Sequence, residues 1–349
     1  MDERAFSAGQ EFLLAAKTFW TTKLYRQLRD TAATRAPNAK TKSDVAEVLE
    51  DTVSYQAFAW LERHLQRMKY TGRYGLIPFH QERRENLLEQ FDKDSQLVRL
   101  NPDLNMPTYY TGIDIHQHPG GVWSDDIAAF VYERGARSTT PLLGSSHKDL
   151  HDRFTDIAVE KGIPRRVLDM GCGFGKSTQP FVKRLPDSHV EAVDLSGPCL
   201  SLAAHNAMEA QAKSVSFRQM DACATDYDDK SFDLVTSTML IHEMPPKTID
   251  AMLDEAYRLL EPGGHMVHLD FYLIPDAFRE FMHYGHARRN NEPYMSPLAD
   301  MDLAGMLAKK GFINIEIVPF AETEGADLRA DDAWRFPWTV IAASKPAAG

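Results

Sequence analysis

The sequence predicts an α/β protein: a doubly wound, seven-stranded sheet that closes in an antiparallel terminal hairpin and follows a mainly α-helical N-terminal part. Three observations carry this. From about residue 165 the chain alternates short apolar runs with amphipathic stretches, the pattern of parallel strands joined by helices. Before residue 150 the apolar residues recur at helical spacing. The last two strand-like runs, INIEIVPF and PWTVIAASKP, have no helix between them, so the final strand pairs antiparallel with its predecessor.

The elements follow in order. A first helix carries the rows Phe12, Ala16, Phe19, Lys23 and Leu13, Ala16, Trp20, Leu24, Leu28; TRAPNAKTKSD breaks it, and Thr41 or Ser43 caps the next. A second set runs Val45, Val48, Leu49, Ala57, Trp60, Leu61, Leu65, Met68, and HQERRENLLEQF makes a third helix. Residues 92 to 123 lose all period and are rich in aromatic residues, which argues for a functional loop rather than disorder. SDDIAAFVYERG is a short helix, and ARSTTPLLGSSHKDL is a polar linker. These boundaries divide the chain into a helical cap, residues 1–150, and an α/β domain, residues 151–349. In the latter RRVLDM, HVEAVDL, SVSFRQM, SFDLVTSTML and HMVHLDFY are the strands before the hairpin, and Gly311 ends the last helix.

Composition narrows the function. A formal net charge of -11 disfavours a nucleic-acid partner. The three cysteines are not in C-x-x-C spacing, the N-terminus is acidic where a signal peptide carries lysines, and no stretch approaches a membrane span. A cytoplasmic protein without membrane contact is expected, and nothing in the sequence sets an oligomeric state.

The loop VLDMGCGFGKST, residues 167–178, is the first chemical signal. A phosphate-cradling G-x-x-x-x-G-K-[ST] loop would need glycine at Met170, and a dinucleotide G-x-G-x-x-G would need glycine at Lys176. What remains is Asp169 followed by Gly171, Gly173 and Gly175, a turn that lets backbone approach a ligand closely.

With these residues the chain resembles the class I S-adenosylmethionine-dependent methyltransferases over roughly residues 150 to 349. The resemblance implies that Asp169, Gly171, Cys172, Gly173 and Gly175 lie along the amino-acid end of the cofactor. It implies that Asp194, with Leu195 beside it, receives the ribose hydroxyls, and that Asp221 and Ala222 meet the adenine. FDLVTSTMLIHEM matches the fourth strand and its loop, placing Thr238 at the cofactor, and LLEPGGHMVHLDF matches the turn into the fifth strand. S-adenosyl-L-methionine is the expected cofactor. It carries a ribose diol and a sulfonium but no phosphate, so a phosphate-binding lysine is not required of Lys176.

A catalytic group belongs at the carboxyl ends of the strands. His242 and Glu243 after the fourth strand and Tyr272 after the fifth are the candidates, and His283 joins them from a long segment, residues 271–297, read as a lid. In that segment His283, Tyr284, His286, Arg288, Arg289, Asn290, Asn291 and Tyr294 are read as one aromatic and basic surface suited to an anionic substrate, and Tyr284, Arg288, Arg289 and Asn291 from it, with Tyr109, Tyr110, His116, His118 and Trp123 in the earlier loop, are the expected substrate contacts. Each has a plainer reading: a cap for a helix, a solvated face, or a loop packed between two parts. NEPY, residues 291–294, follows the fifth strand and not the fourth, so it is not the N-P-P-Y of amino-methylating enzymes. H-Q-H and H-Y-G-H lack the partners of a metal site. The expectation is therefore a methyltransferase acting on a small, specialised-metabolite acceptor enclosed under the cap. Two alternatives stay open: an enzyme of this fold that uses the cofactor without passing on its methyl group, and a non-catalytic cofactor-binding subunit. A nicotinamide-dependent oxidoreductase ranks below both.

Overall fold

A computed structural model describes residues 1–92, 95–138 and 148–349. The central sheet contains β1 (Val98–Arg99), β2 (Arg166–Met170), β3 (His189–Asp194), β4 (Val215–Gln219), β5 (Phe232–Thr238), β6 (Leu260–Phe271), β7 (Ile313–Pro319) and β8 (Trp338–Ser344), in the order β1-β4-β3-β2-β5-β6-β8-β7. The first six pair in parallel, while β8 is antiparallel to both β6 and β7. The hairpin ending is as the sequence predicts. The strand count is not: among the described residues there are eight, because Val98 and Arg99 add an edge strand beside Phe217 and Arg218 of β4. Two residues inside an aperiodic loop give no local signal for such a pairing.

Strand alternation builds a core on each face. Val167 of β2, Ala192 of β3, Leu234 of β5 and Val267 of β6 pack on one side, and Leu168, Val193, Val235 and Met266 on the other. The first of these clusters continues into the N-terminal helices through Trp20, Tyr25, Leu28, Leu49 and Phe58, so the cap and the sheet share one core.

The N-terminal helices are α1 (Glu3–Phe19), α2 (Tyr25–Arg35), α3 (Lys42–Leu49) and α4 (Val53–Tyr70). Thr41 caps α3 with a reciprocal capping box through Asp44. A π-turn, Trp20–Leu24, joins α1 to α2. The buried row is Phe6, Leu13, Lys17, Trp20 and Thr21, whereas Phe12 and Phe19 are exposed. The run expected as a third helix is broken into Leu76–Gln81 and Arg84–Leu88. Most of the expected linker lies outside the described residues. The segment expected as a lid holds a helix, Ala277–Arg289, packed against α3 and α4. Among the described residues no helix is long and apolar enough to cross a membrane.

Candidate functional site

Chain order reverses at β2, whose two neighbours are β3 and β5, which opens a crevice at their carboxyl ends. Three segments meet there: the glycine turn after β2, the loop after β5, and the loop from the cap that contains His116. They line one cavity with about 1810 Å³ of space free of protein atoms, part of it open to solvent.

In one half the lining includes Gly171, Cys172, Gly173, Asp194, Leu195, Asp221, Ala222 and Thr238. Gly171 is left-handed with φ 68°, and a Cβ there would stand 2.6 Å from Leu240 Cδ1, so this turn demands glycine. Asp194 accepts from Gly173 N at 2.8 Å and from Ser196 N at 2.7 Å, which ties the turn to the end of β3. Burial raises its pKa to about 6, although these amide donors oppose the shift. Asp221 accepts from Cys223 N, and the buried Thr238 Oγ1 has no hydrogen-bond partner, an unfilled donor aimed at the cavity wall.

Asp169 and Gly175 lie behind this surface and do not line the cavity. Asp169 Oδ2 accepts from Ser177 Oγ and Thr178 Oγ1, anchoring the helix that follows; Gly175 has φ 82° where a Cβ would press on Ala203. Lys176 and Ser177, assigned no role from the sequence, are in the lining.

The waist of the cavity is His242. Its Nδ1 lies 2.6 Å from Asp270 Oδ1, and Asp270 also accepts from the backbone N of Ile241 and of Phe271. Burial opposes a charge on His242, yet the Asp270 carboxylate overcomes it and raises the pKa. A carboxylate so held fixes the ring and its tautomer, leaving Nε2 for chemistry.

The other half is walled by Trp20, Leu65, Tyr70, Phe271, Trp334 and Phe336, while Tyr109, Tyr110 and Tyr132 line the cavity nearer Asp221, Asp194 and Gly173. Phe271 and Phe336 stack at 4.2 Å. Its polar floor is a chain of alternating charge. His116 Nε2 lies 2.9 Å from Glu243 Oε1, and His116 Nδ1 lies 3.0 Å from Glu292 Oε1. His286 follows, 3.6 Å from Glu292 and 2.5 Å from Glu62, and Glu62 ends on Arg289. Burial opposes the charge on both imidazoles, but the flanking glutamates raise His116 to about 10 and His286 to about 9. His116 and Gln117 both adopt left-handed backbone, φ 54° and 56°, a strain that non-glycine residues accept where surrounding contacts hold them.

Several expected contacts lie elsewhere. Tyr272 donates to Met301 O, away from the cavity. His283 is buried behind the chamber on a second pocket, and burial pushes its pKa down to about 3, which leaves it neutral. The residues of 283–294 do not form one surface, because helical periodicity turns them apart: Tyr284 donates to Asp300, Arg288 is exposed, Arg289 lies under the floor, and Asn291 donates to Asp114 O. His118 stacks on Tyr70, and Trp123 flanks Gly121. From that segment the cavity is lined by His286 and Asn290, both in the expected surface, and by Glu292, which was not. Among the described residues no group of three or more His, Cys, Asp or Glu is arranged to hold a metal.

A Rossmann-like sheet with a reversed hairpin, a phosphate-free glycine turn and carboxylates after β3 and β4 defines the class I methyltransferase architecture. Comparison with known proteins agrees: the sequence model of a methyltransferase domain family matches residues 167–264, and the chain carries a class I S-adenosylmethionine-dependent methyltransferase domain. A demethylmenaquinone methyltransferase of Thermus thermophilus is 35% identical over 119 residues, 34% of this chain and 52% of that protein. A 27-O-demethylrifamycin SV methyltransferase of Amycolatopsis mediterranei is 30% identical over 158 residues, 44% of this chain and 51% of that protein. Among solved structures, a Haemonchus contortus phosphoethanolamine N-methyltransferase with S-adenosyl-L-methionine aligns with TM-score 0.48 and 20% identity over 69% of this chain and 61% of that one. The chain spans about half the length of the curated relatives it matches first.

The lining fits the cofactor of this family. The glycine turn leaves room for the amino-acid end, the Asp194 carboxylate can take the diol, and Thr238 Oγ1 is an unfilled donor in the same lining. Asp194→Ala is expected to weaken S-adenosylhomocysteine binding by roughly 100-fold, the loss of two hydrogen bonds to a charged group. Calorimetry checks this, and an unchanged Kd would remove Asp194 from the cofactor site.

Proposed function

We propose that the chain transfers the methyl group of S-adenosylmethionine to a small, planar, specialised-metabolite acceptor held in the aromatic half of the cavity, with His242 as general base. One observation carries the reading: a single cavity joins the glycine turn and Asp194 to an aromatic chamber, with the Asp270-held imidazole between them. The cofactor, when bound, supplies an activated methyl group on its sulfonium.

The chain does the rest. The stacked Phe271 and Phe336 hold a flat acceptor, and the surrounding aromatic rings exclude water. Holding the acceptor atom in line with the transferred methyl group can contribute about 7–11 kcal/mol. His242 Nε2 removes the acceptor's proton, which suits a hydroxyl or an acidified carbon better than a group that is already deprotonated.

Methyl-labelled cofactor incubated with the protein and a small-molecule extract of the source cell tests the reading. Label in a small-molecule fraction, with S-adenosylhomocysteine formed one for one, is the expected result. Release of methylthioadenosine, or label found only in macromolecules, overturns it.

A further inference from the structure

Among the described residues the chamber floor is electrically closed except at one residue. The lining carboxylates Glu62, Glu243 and Glu292 are matched by His116, His286 and Arg289. Lys17 is left over. It lies on α1, is 6% exposed, and belongs to the cavity lining. Its ammonium donates to Gln66 Oε1 at 3.1 Å and to Ser138 O at 3.0 Å, both neutral oxygens, so two of its three N–H groups are used. Gln66 is itself pinned, since its Nε2 donates 2.9 Å to His116 O. The ammonium is therefore held on a fixed mount with one donor to spare.

Such a group is costly to bury without a counter-ion. Burial lowers the Lys17 pKa to about 8, partly offset by the Glu62 carboxylate, and it remains mostly protonated at neutral pH. Lys69, the other buried lysine nearby, does not line the cavity; it faces the ring of Tyr70 and the carbonyl of Gly135. Lys176 lines the half that holds the glycine turn, where the amino-acid carboxylate of the cofactor would meet it.

We infer that Lys17 anchors a carboxylate on the acceptor, so that the substrate class is an aromatic or conjugated carboxylate whose apolar body fills the chamber. This rests on the methyltransferase reading for the identity of the chamber. A carboxylate suits the site because both groups are charged between the pKa of an ordinary carboxyl, about 4, and that of Lys17, about 8, and it completes the missing pair at the end of a neutral floor.

The probes are 2-naphthoate and its neutral isostere 2-naphthamide, titrated by calorimetry at pH 7 into protein saturated with S-adenosylhomocysteine. The acid is expected to bind at least about tenfold tighter than the amide, and Lys17→Met to abolish that preference while S-adenosylhomocysteine affinity is unchanged; Lys17→Arg retains it. Equal binding of acid and amide, a preference that survives in Lys17→Met, or no binding of the acid at millimolar concentration overturns the proposal. These readouts need no turnover. A null result with labelled cofactor would therefore sink methyl transfer alone, and loss of the acid preference would sink the Lys17 anchor alone.

Discussion

His242→Ala is expected to lower kcat by roughly 10²–10⁴, the usual contribution of a positioned general base, while leaving the Kd for S-adenosylhomocysteine within about twofold. The imidazole lines the cavity but is held by Asp270 rather than by the glycine turn or Asp194, so binding and proton transfer should separate. The pH profile gives the sign. A base acts only when unprotonated, and Asp270 raises the pKa of His242 above its usual 6.5, so the acidic limb of kcat lies above that value. Asp270→Asn removes the carboxylate that raises it. The limb should move to lower pH even as the plateau falls. Stopped assays between pH 5 and 9 measure both, and a limb that stays in place in Asp270→Asn would show that the dyad is not the titrating group.

Glu292→Ala is expected to destabilise the protein by about 3–5 kcal/mol, because it strips the shared carboxylate from His116 and His286 and leaves two buried imidazolium groups short of a partner. For a chain of this size that corresponds to roughly 4–7 °C in Tm. The same chain of charges predicts an alkaline limit. His116 and His286 have folded pKa values raised to about 10 and about 9, so their contribution is complete below about 6.5 and is lost as pH rises through 9 to 10. Glu62 and Glu292 are held low against their burial by their cationic neighbours, so their contribution is lost only in acid. Scanning calorimetry from pH 7 to 10.5 should show Tm falling in the upper range, earlier in Glu292→Gln than in the parent. A flat profile, or Glu292→Ala melting with the parent, would deny the chain its stabilising role.

The aromatic and charged half of the cavity was harder to read in the sequence than the cofactor half, and the cause is physical. Asp169 to Gly175, Asp194 and Asp221 are spaced by local turns at strand ends, so motif order places them within a residue or two of the crevice. The acceptor half is assembled from α1, α4, a loop with no period, the fifth-strand loop and the segment before β8, which are far apart in the chain. One signal was present. Lys17 and Glu62 occupy positions where helical spacing calls for apolar residues, Lys17 between Leu13 and Thr21, Glu62 between Phe58 and Gln66. Polar groups on a buried helical row require partners inside the fold, and here those partners form the floor of the chamber. The same spacing within Ala277–Arg289 explains why Tyr284 and Arg288 face away while His286 faces in.

The sequence by itself determined the alternation that builds the sheet, the reversed last strand, and a glycine turn that excludes phosphate. These depend on residues near one another and on period-2 and period-3.6 patterning, which any chain carries in its order. Only the tertiary structure decided that Val98 and Arg99 join the sheet, that Asp270 holds His242, and that Glu243, His116, Glu292, His286, Glu62 and Arg289 neutralise one another and leave Lys17 over. Those outcomes depend on which side chains meet across separations of up to 227 positions, and charge compensation in a buried site is set by distance in space, not along the chain.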